Sequence, residues 1–263
     1  MHANQRFQWR VLQCKCDAAR TGLNGTINRG KRGRMTRGTS PAAGATVIEA
    51  LRALLKADLA DKTPLRHESI RAIHWKVARL ASAVTANRAE VPIRPAAARC
   101  VDMRAVERFR AETGRYAEAD NRAGGGRDRE ALIRHLVVNV GRLARGAGSE
   151  QVDRALSSAV AEAILLLAWM TFDVAPESAL TQKYLTYARL LAHRADNRLL
   201  EAAVLAAMSQ QARYVGVADE ALELAAAARQ GTLDGDPPCI RFFDESESVS
   251  WKPILRTVCG YPC

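Results

Sequence analysis

Apolar residues recur at helical spacing through most of this chain, and polar, proline-rich or glycine-rich stretches interrupt them. The first apolar stripe predicts a helix over residues 46–60, and a second helix follows at 67–86. Together they make residues 46–90 a helical segment whose fold the pattern leaves open. The proline-containing segment 91–99 is predicted to be a linker. The stripe positions are Val47, Leu51, Leu54, Leu55 and Leu59 in the first helix, and Ile70, Ile73, Val77, Leu80 and Val84 in the second.

The longest helical region is predicted from residue 100 to residue 231. Its first helix is stopped by the sequence at 120–126, because three consecutive glycines hold helical dihedral angles poorly. A further helix is predicted at 129–145. Ser149 then offers an N-cap for the next helix, since its hydroxyl can accept from a free backbone N–H of the first turn. The region is therefore predicted to consist of helices joined by short loops.

Two helical hairpins between residues 152 and 229 carry the same pattern of small and large residues about forty positions apart. Helix pairs that recur at a fixed period stack into an α-solenoid, because one pair cannot bury its own apolar face. An ordinary helical bundle, rich in alanine because alanine favours helices, is the alternative. Both interpretations predict an all-α fold. The equivalent positions are Leu165, Ala168, Trp169, Phe172, Thr181, Leu185 and Ala188, and then Leu205, Met208, Ser209, Ala212, Ala221, Ala225 and Ala228.

This pattern resembles a tetratricopeptide repeat with a longer period. Four motifs occur in one order along this region: Val106-Glu107, the Asp-Asn-Arg-x-Gly-Gly-Gly sequence at 120–126, the tryptophan-containing segment 168–173 and the Gln-Lys-Tyr sequence at 182–184. This series resembles the C-terminal region of actinobacterial helix-turn-helix transcriptional regulators of the Xre type. The resemblance covers about residues 100–231. It implies a regulatory protein of transcription whose tetratricopeptide-like solenoid binds a peptide, a small molecule or a protein partner.

The resemblance also implies where a partner binds. In tetratricopeptide proteins the first helix of each pair lines a concave groove, whose polar and aromatic side chains suit a peptide or an extended ligand. The solvent face of a helical stack explains the same side chains equally well. A second copy of the chain is a further candidate partner, because solenoids often associate through an uncapped terminal repeat. The groove positions in this sequence are Met170, Asp173, Gln210, Arg213 and Tyr214.

The N-terminal region departs from that family. A helix-turn-helix needs two short helices joined by a turn that often contains glycine, with a second helix polar enough to lie in the major groove. The break between the two predicted helices, residues 61–66, contains no glycine. Sequence-specific DNA binding is therefore not indicated. A helical-repeat scaffold or interaction module without specific DNA binding is the alternative function.

Positive charge is concentrated at the N-terminus. The chain has a formal net charge of +11, and residues 1–40 contain nine basic residues and one acidic residue, whereas residues 100–231 are balanced. Residues 1–45 lack periodicity and are rich in glycine, which predicts a disordered basic arm. Such an arm either contacts nucleic acid without sequence specificity or remains a solvated tail. Its cationic cluster is Arg29, Lys31, Arg32, Arg34 and Arg37.

Cysteine use and hydropathy predict a soluble cytoplasmic protein without membrane contact. The six cysteines form no C-x-x-C pair and have no histidine at zinc-finger spacing, and the N-terminus does not resemble a signal peptide. The longest apolar run, residues 163–172, is too short to cross a bilayer. Residues 232–263 hold half of the cysteines and four of the nine prolines, which predicts an irregular tail.

No pattern in the chain indicates catalysis, a metal or a cofactor. Residues 25–32 match a phosphate-binding loop in their glycines and lysine, but an arginine replaces the Ser or Thr that coordinates magnesium. His67 and His74 share a helical face but lack a third ligand. His135 and His193 are isolated, and no Ser-His-Asp or Cys-His arrangement is indicated. The protein is not expected to be an enzyme.

Overall fold

The computed structural model describes residues 41–61, 101–124, 126–143 and 149–231. Every regular element in these ranges is an α-helix, which confirms the all-α prediction. The predicted helix at 67–86, the linker at 91–99 and the tail at 232–263 lie outside the described residues. The helices are α1 (Pro41–Ala60), α2 (Met103–Ala123), α3 (Arg129–Leu143), α4 (Glu150–Val174), α5 (Ala179–Arg194), α6 (Arg198–Tyr214) and α7 (Ala218–Gln230).

Helix α1 begins earlier than the apolar pattern predicts. It starts at Pro41, so residues 41–45, which were assigned to the arm, are helical. Proline suits a first helical position because its fixed φ matches the helix and its missing N–H would have no partner there. Leu51 and Leu55 are fully buried, and α1 packs against α3. The apolar stripe of this helix is therefore part of the core.

The loop between α2 and α3 depends on its glycines. Helix α2 ends at Ala123, within the predicted stop at 120–126 and directly before its first glycine, and the Gly124 N–H donates to the Asp120 carbonyl. Gly126 has a φ of 73°, a left-handed conformation that favours glycine. A Cβ atom at this position would lie 2.9 Å from the carbonyl oxygen of Met170. The loop can therefore approach α4 only because Gly126 has no side chain.

Helix α4 is the central helix of the described structure. Ser149 caps it as predicted, accepting from the Val152 N–H at 3.3 Å. Every residue from Leu156 to Phe172 except Glu162 is buried, because α2, α3, α5 and α6 all pack against this helix. Among the described helices, α4 has the length and hydropathy of a membrane span, but 89% of that window is buried inside the protein. Such burial is typical of a core helix.

Helices α4–α5 and α6–α7 form two hairpins that stack through α5 and α6. The first helices of the two pairs end at Val174 and Tyr214, forty residues apart, as the repeat predicts. Of the fourteen equivalent positions, all except Ala225 are buried. Small residues at these positions let neighbouring helices approach closely, and the larger ones fill the remaining space. Two consecutive helical pairs are therefore present.

A polar turn fixes the second hairpin to the first. Asn197 caps α6 by accepting from the Leu200 N–H at 3.0 Å, and its Nδ2 donates to the Ser158 hydroxyl of α4 at 2.9 Å. Ser158 in turn donates to Glu162 at 3.1 Å, and the Arg110 guanidinium of α2 donates to the same carboxylate at 3.3 Å. Glu162, the one residue between Leu156 and Phe172 that is not fully buried, is therefore in an ion pair with Arg110.

Candidate functional site

The C-terminal ends of α4 and α6 lie side by side and form a partly exposed surface. The ring of Phe172 contacts the ring of Tyr214 edge to face, with a centroid distance of 5.6 Å, and it contacts Trp169 at the same distance. Phe172 and Trp169 are buried, whereas Tyr214 is 53% exposed. We call this surface the rim and define it as Phe172, Asp173, Val174, Arg213 and Tyr214.

The two helices contribute to the rim through equivalent positions of the repeat. Asp173 and Arg213 are forty residues apart and partly exposed. Val174 and Tyr214 are also forty apart, and both are exposed apolar side chains. The rim therefore offers an acidic group, a basic group and two apolar contacts within two helix ends. This chemistry suits a peptide segment, whose backbone is polar and whose side chains include apolar ones.

Hydrogen bonds from a side chain to the backbone hold the rim in place. The side-chain amide of Gln211 donates to the carbonyl oxygen of Ser178 at 3.1 Å and to that of Pro176 at 3.3 Å. These bonds fix the α4–α5 loop to α6. On the other side of α4, the close approach of Gly126 places the α2–α3 loop against Val174. The rim is supported from both sides by contacts that do not depend on a partner.

Two of the five predicted groove residues are not on the surface. Met170 is fully buried and Gln210 is 5% exposed, so the expectation that they line an open groove is corrected. Met170 is covered because the α2–α3 loop and α3 pack on α4. Gln210 belongs to a continuous buried stretch of α6, from Ala202 to Ala212. Asp173 and Arg213 are partly exposed and Tyr214 is exposed; their role in a groove stays a prediction.

A buried polar cluster joins α1 to the hairpins, and the sequence gives no pairing signal for it. Arg129 and Tyr184 both donate to the carboxylate of Asp58. The side chains of Asp58 and Arg129 are 6% and 13% exposed. Arg129 also donates to the Thr171 hydroxyl at 2.9 Å, and that hydroxyl donates to the Leu167 carbonyl at 2.7 Å. Four helices thus meet at one network.

Burial and the charge of Asp58 keep the Tyr184 hydroxyl protonated, so that it can donate a hydrogen bond. Burial raises the pKa of Tyr184 far above its ordinary value, and the charge and hydrogen bond of Asp58 raise it further, against the opposing effect of Arg129. Tyr184 therefore stays a phenol and a donor. One cationic and one neutral donor offset the cost of burying the Asp58 carboxylate. The sequence hint is that Asp58 lies four residues after Leu54 and seven after Leu51, and so on the apolar face of α1.

His135 is a packed core residue. Its ring stacks on that of Phe109 and contacts the tilted ring of Tyr116, with both centroid distances 5.4 Å, and its Nδ1 lies 3.0 Å from the amide nitrogen of Asn139. Burial lowers the pKa of His135, and the nearby charge of Glu112 opposes that shift. Within the described ranges no three His, Cys, Asp or Glu side chains are grouped as metal ligands.

The remaining predicted positions lie outside the part of the chain that the structure describes. These are the basic-arm residues, the histidines of the second predicted helix and all six cysteines, namely Arg29, Lys31, Arg32, Arg34, Arg37, His67, His74, Cys14, Cys16, Cys100, Cys239, Cys259 and Cys263.

No protein-family model, no curated protein and no solved structure matches this chain. The resemblance to Xre-type regulators therefore rests on the sequence motifs alone.

Proposed function

We propose that this protein is a regulatory binding protein that acts in transcriptional control and uses a tetratricopeptide-like helical domain to hold a peptide, a small molecule or a protein. The observation that carries the proposal is the rim. Its exposed and partly exposed residues occupy equivalent positions of two stacked hairpins, and Phe172 and Tyr214 join the two helix ends through a ring contact. A binding surface repeated in this way suits an extended ligand.

The buried cluster supplies a route from the rim to the N-terminal part of the chain. Thr171 precedes Phe172 on α4 and holds the Arg129 guanidinium, which in turn holds Asp58 on α1. A ligand that shifts the end of α4 changes the geometry of this network. The mechanism we propose is therefore a movement of α1 relative to the hairpins, driven by the difference in ligand affinity between two helix arrangements.

One observation favours a second function, that of a helical scaffold without specific DNA binding. Ile48, Leu51 and Leu55 are buried, in a helix that packs on α3. These residues are part of the same core as the hairpins. This shared core supports the view that α1 belongs with the hairpins rather than to a separate unit that recognises DNA.

The rim is tested with a peptide array and a small-molecule thermal-shift library, both probed with the full chain. Ligands found in this way are expected to bind the Tyr214→Ala and Arg213→Ala variants at least about tenfold more weakly, a loss of about 1.4 kcal/mol. Leu222→Ala is the matched control, because Leu222 is a similarly exposed apolar residue on α7. If the ligands bound all three variants as tightly as the unchanged chain, the rim would not be the binding surface.

Transcriptional control is tested by selecting ligands from a randomised duplex DNA library with the full chain. A selected sequence that binds more tightly than its scrambled form, at both low and high salt, supports the regulator. Binding that ignores sequence and disappears with salt supports the scaffold, since phosphate contacts alone have that salt dependence.

A further inference from the structure

Asp120 is a buried acid in the last turn of α2. The residue is 2% exposed, and within the described ranges its Oδ1 has no hydrogen-bond partner. The Gly126 N–H donates to the same carboxyl group. This bond spans six residues, so the carboxyl group faces the α2–α3 loop. The loop therefore uses one carboxyl oxygen, and the other is buried without a partner.

Asp120 differs in this respect from two other largely buried acids of the domain. Asp58 accepts from an arginine and a tyrosine, and Glu162 accepts from an arginine and a serine. The arginines closest to Asp120 in sequence, Arg122 and Arg127, are exposed, and in the part of the chain that the structure describes neither forms an ion pair with it. Burying a carboxylate is costly unless a positive charge and hydrogen-bond donors offset it. The described side chains do not provide that charge.

A second acid lies close to the first. Asp128, directly before α3, is partly exposed, and its charge acts on Asp120. Burial raises the pKa of Asp120, the Gly126 hydrogen bond opposes this shift, and the charge of Asp128 adds to it. Two acids that repel each other in this way are stabilised by a cation between them, because the cation favours the charged form of both.

The end of α2 supplies further oxygen atoms. The last carbonyl groups of a helix have no partner within the helix, and they form the negative end of its dipole. In α2 these groups include the carbonyls of Asn121, Arg122 and Ala123, which lie between the two acids in sequence. An acid near this end of a helix is unfavourable, whereas a cation is favourable. The helix dipole therefore adds to the attraction for a positive ion.

The available ligands select the kind of cation. Carboxylate and carbonyl oxygens suit hard divalent cations such as Ca²⁺ and Mg²⁺, whereas Zn²⁺ and copper ions favour His and Cys. Among the described residues no third His, Cys, Asp or Glu side chain joins the two acids, so carbonyl oxygens and water must complete the coordination. Such a mixed set suits Ca²⁺ better than Mg²⁺, because Mg²⁺ requires a nearly ideal octahedron.

We propose that Asp120, Asp128 and the last-turn carbonyls of α2 bind a hard divalent cation, Ca²⁺ in preference to Mg²⁺. The cation is bound by the Oδ1 of Asp120 and offsets the repulsion between the two acids. It also ties the end of α2 to the beginning of α3. Because Gly126 lies against the Met170 carbonyl, cation binding stabilises the contact between the α2–α3 loop and α4.

The test uses Tb³⁺ luminescence of the full chain, because Tb³⁺ replaces Ca²⁺ at oxygen sites and emits when a nearby aromatic ring absorbs light. Tyr116 lies four residues before Asp120 on α2, and therefore on the same side of the helix. We expect sensitised emission that Ca²⁺ displaces. Asp120→Asn and Asp128→Asn keep the size of each side chain and are each expected to weaken Tb³⁺ binding at least about tenfold. Absence of sensitised emission in the unchanged chain would overturn the proposal.

Glu118→Gln is the matched control for charge. It removes one negative charge from an exposed position of the same helix, two residues before Asp120. Because charges in solvent are screened, this change is expected to alter Tb³⁺ affinity less than about twofold. Equal losses of affinity in Glu118→Gln and Asp120→Asn would overturn the proposal, since they would show attraction to net charge alone.

Thermal unfolding separates a bound cation from a bound proton. Ca²⁺ at about 100 times its Kd is expected to raise the unfolding temperature of the unchanged chain by at least about 3 °C, and to leave that of Asp120→Asn unchanged. Mg²⁺ is expected to give a smaller shift, and a larger one would overturn the preference for Ca²⁺. If neither cation acted and Asp120→Asn were more stable than the unchanged chain, Asp120 would be a neutral buried acid, and the proposal would be wrong.

Discussion

Tyr184 of α5 donates a hydrogen bond to Asp58 of α1, a residue 126 positions earlier in the chain. Arg129 of α3 donates to the same carboxylate. The acceptor and its two donors thus come from three helices that are far apart in sequence. This junction is the main polar contact that makes α1 part of the helical domain.

Removing the shared carboxylate is expected to destabilise the domain more than removing one of its donors. In Asp58→Ala the Arg129 charge remains buried without its carboxylate partner, so the free energy of unfolding is expected to fall by about 3–5 kcal/mol. Tyr184→Phe leaves the ion pair intact and is expected to cost about 1 kcal/mol. Urea unfolding followed by circular dichroism measures both values. A smaller loss for Asp58→Ala than for Tyr184→Phe would contradict the geometry.

Stability is expected to fall at alkaline pH because of Tyr184. The pKa of this phenol is raised in the folded state, whereas in the unfolded chain it is about 10. Above that pH the unfolded state releases the proton and the folded state retains it, so unfolding is favoured by up to about 1.4 kcal/mol per pH unit. The urea concentration at the unfolding midpoint, measured at intervals of about one pH unit from about pH 8 to about pH 11, gives the slope of stability against pH. Tyr184→Phe is expected to flatten it.

Mild acid is expected to weaken the contact between α2 and α3 through His135. Burial lowers the pKa of this imidazole below its ordinary value of 6.5. As the pH falls below 6.5, the unfolded chain binds a proton that the folded chain resists, so stability is lost toward acid pH. Urea midpoints at neutral and mildly acidic pH are expected to show this loss in the unchanged chain and less of it in His135→Gln.

Two glycine substitutions separate steric conflict from backbone strain. Gly126 and Gly216 both have positive φ, at 73° and 82°, so an alanine at either position costs about 1–2 kcal/mol in strain. At Gly126 the new Cβ also meets the Met170 carbonyl, whereas nothing lies within 4 Å at Gly216. Gly126→Ala is therefore expected to destabilise the domain more than Gly216→Ala. Thermal unfolding of both variants provides the comparison, and equal losses would show that the loop can move away from α4.

The rim aromatic residues are expected to differ in their effect on stability. Phe172 is 6% exposed and Tyr214 is 53% exposed. Phe172→Ala leaves a cavity and is expected to cost about 3–5 kcal/mol, while Tyr214→Ala is expected to cost less than about 1 kcal/mol. Chemical unfolding measures both. A large loss for Tyr214→Ala would mean that this side chain supports the fold and is unsuitable for testing the binding surface.

The candidate site could be predicted only in part from the sequence. The resemblance to tetratricopeptide proteins selected Asp173, Arg213 and Tyr214 as groove positions, and in the structure these three side chains lie near the ends of α4 and α6 and are at least partly exposed. The same resemblance assigned Met170 to a groove, although α3 and the α2–α3 loop cover it. Periodicity indicates which side of a helix is apolar, but it does not count how many neighbours pack around that helix. The Asp58 cluster was missed for a related reason, since no local pattern pairs residues 126 positions apart.

The sequence by itself determined the helices, because helical periodicity, N-caps such as Ser149 and glycine-rich breaks act over a few residues. It also determined the register of the two hairpins through their repeated small and large side chains. Only the tertiary structure decided that four other helices pack around α4 and that α1 packs on the domain through Asp58. These features depend on contacts between distant segments, and their free energies arise only when burial and charge pairing are established together in the folded chain.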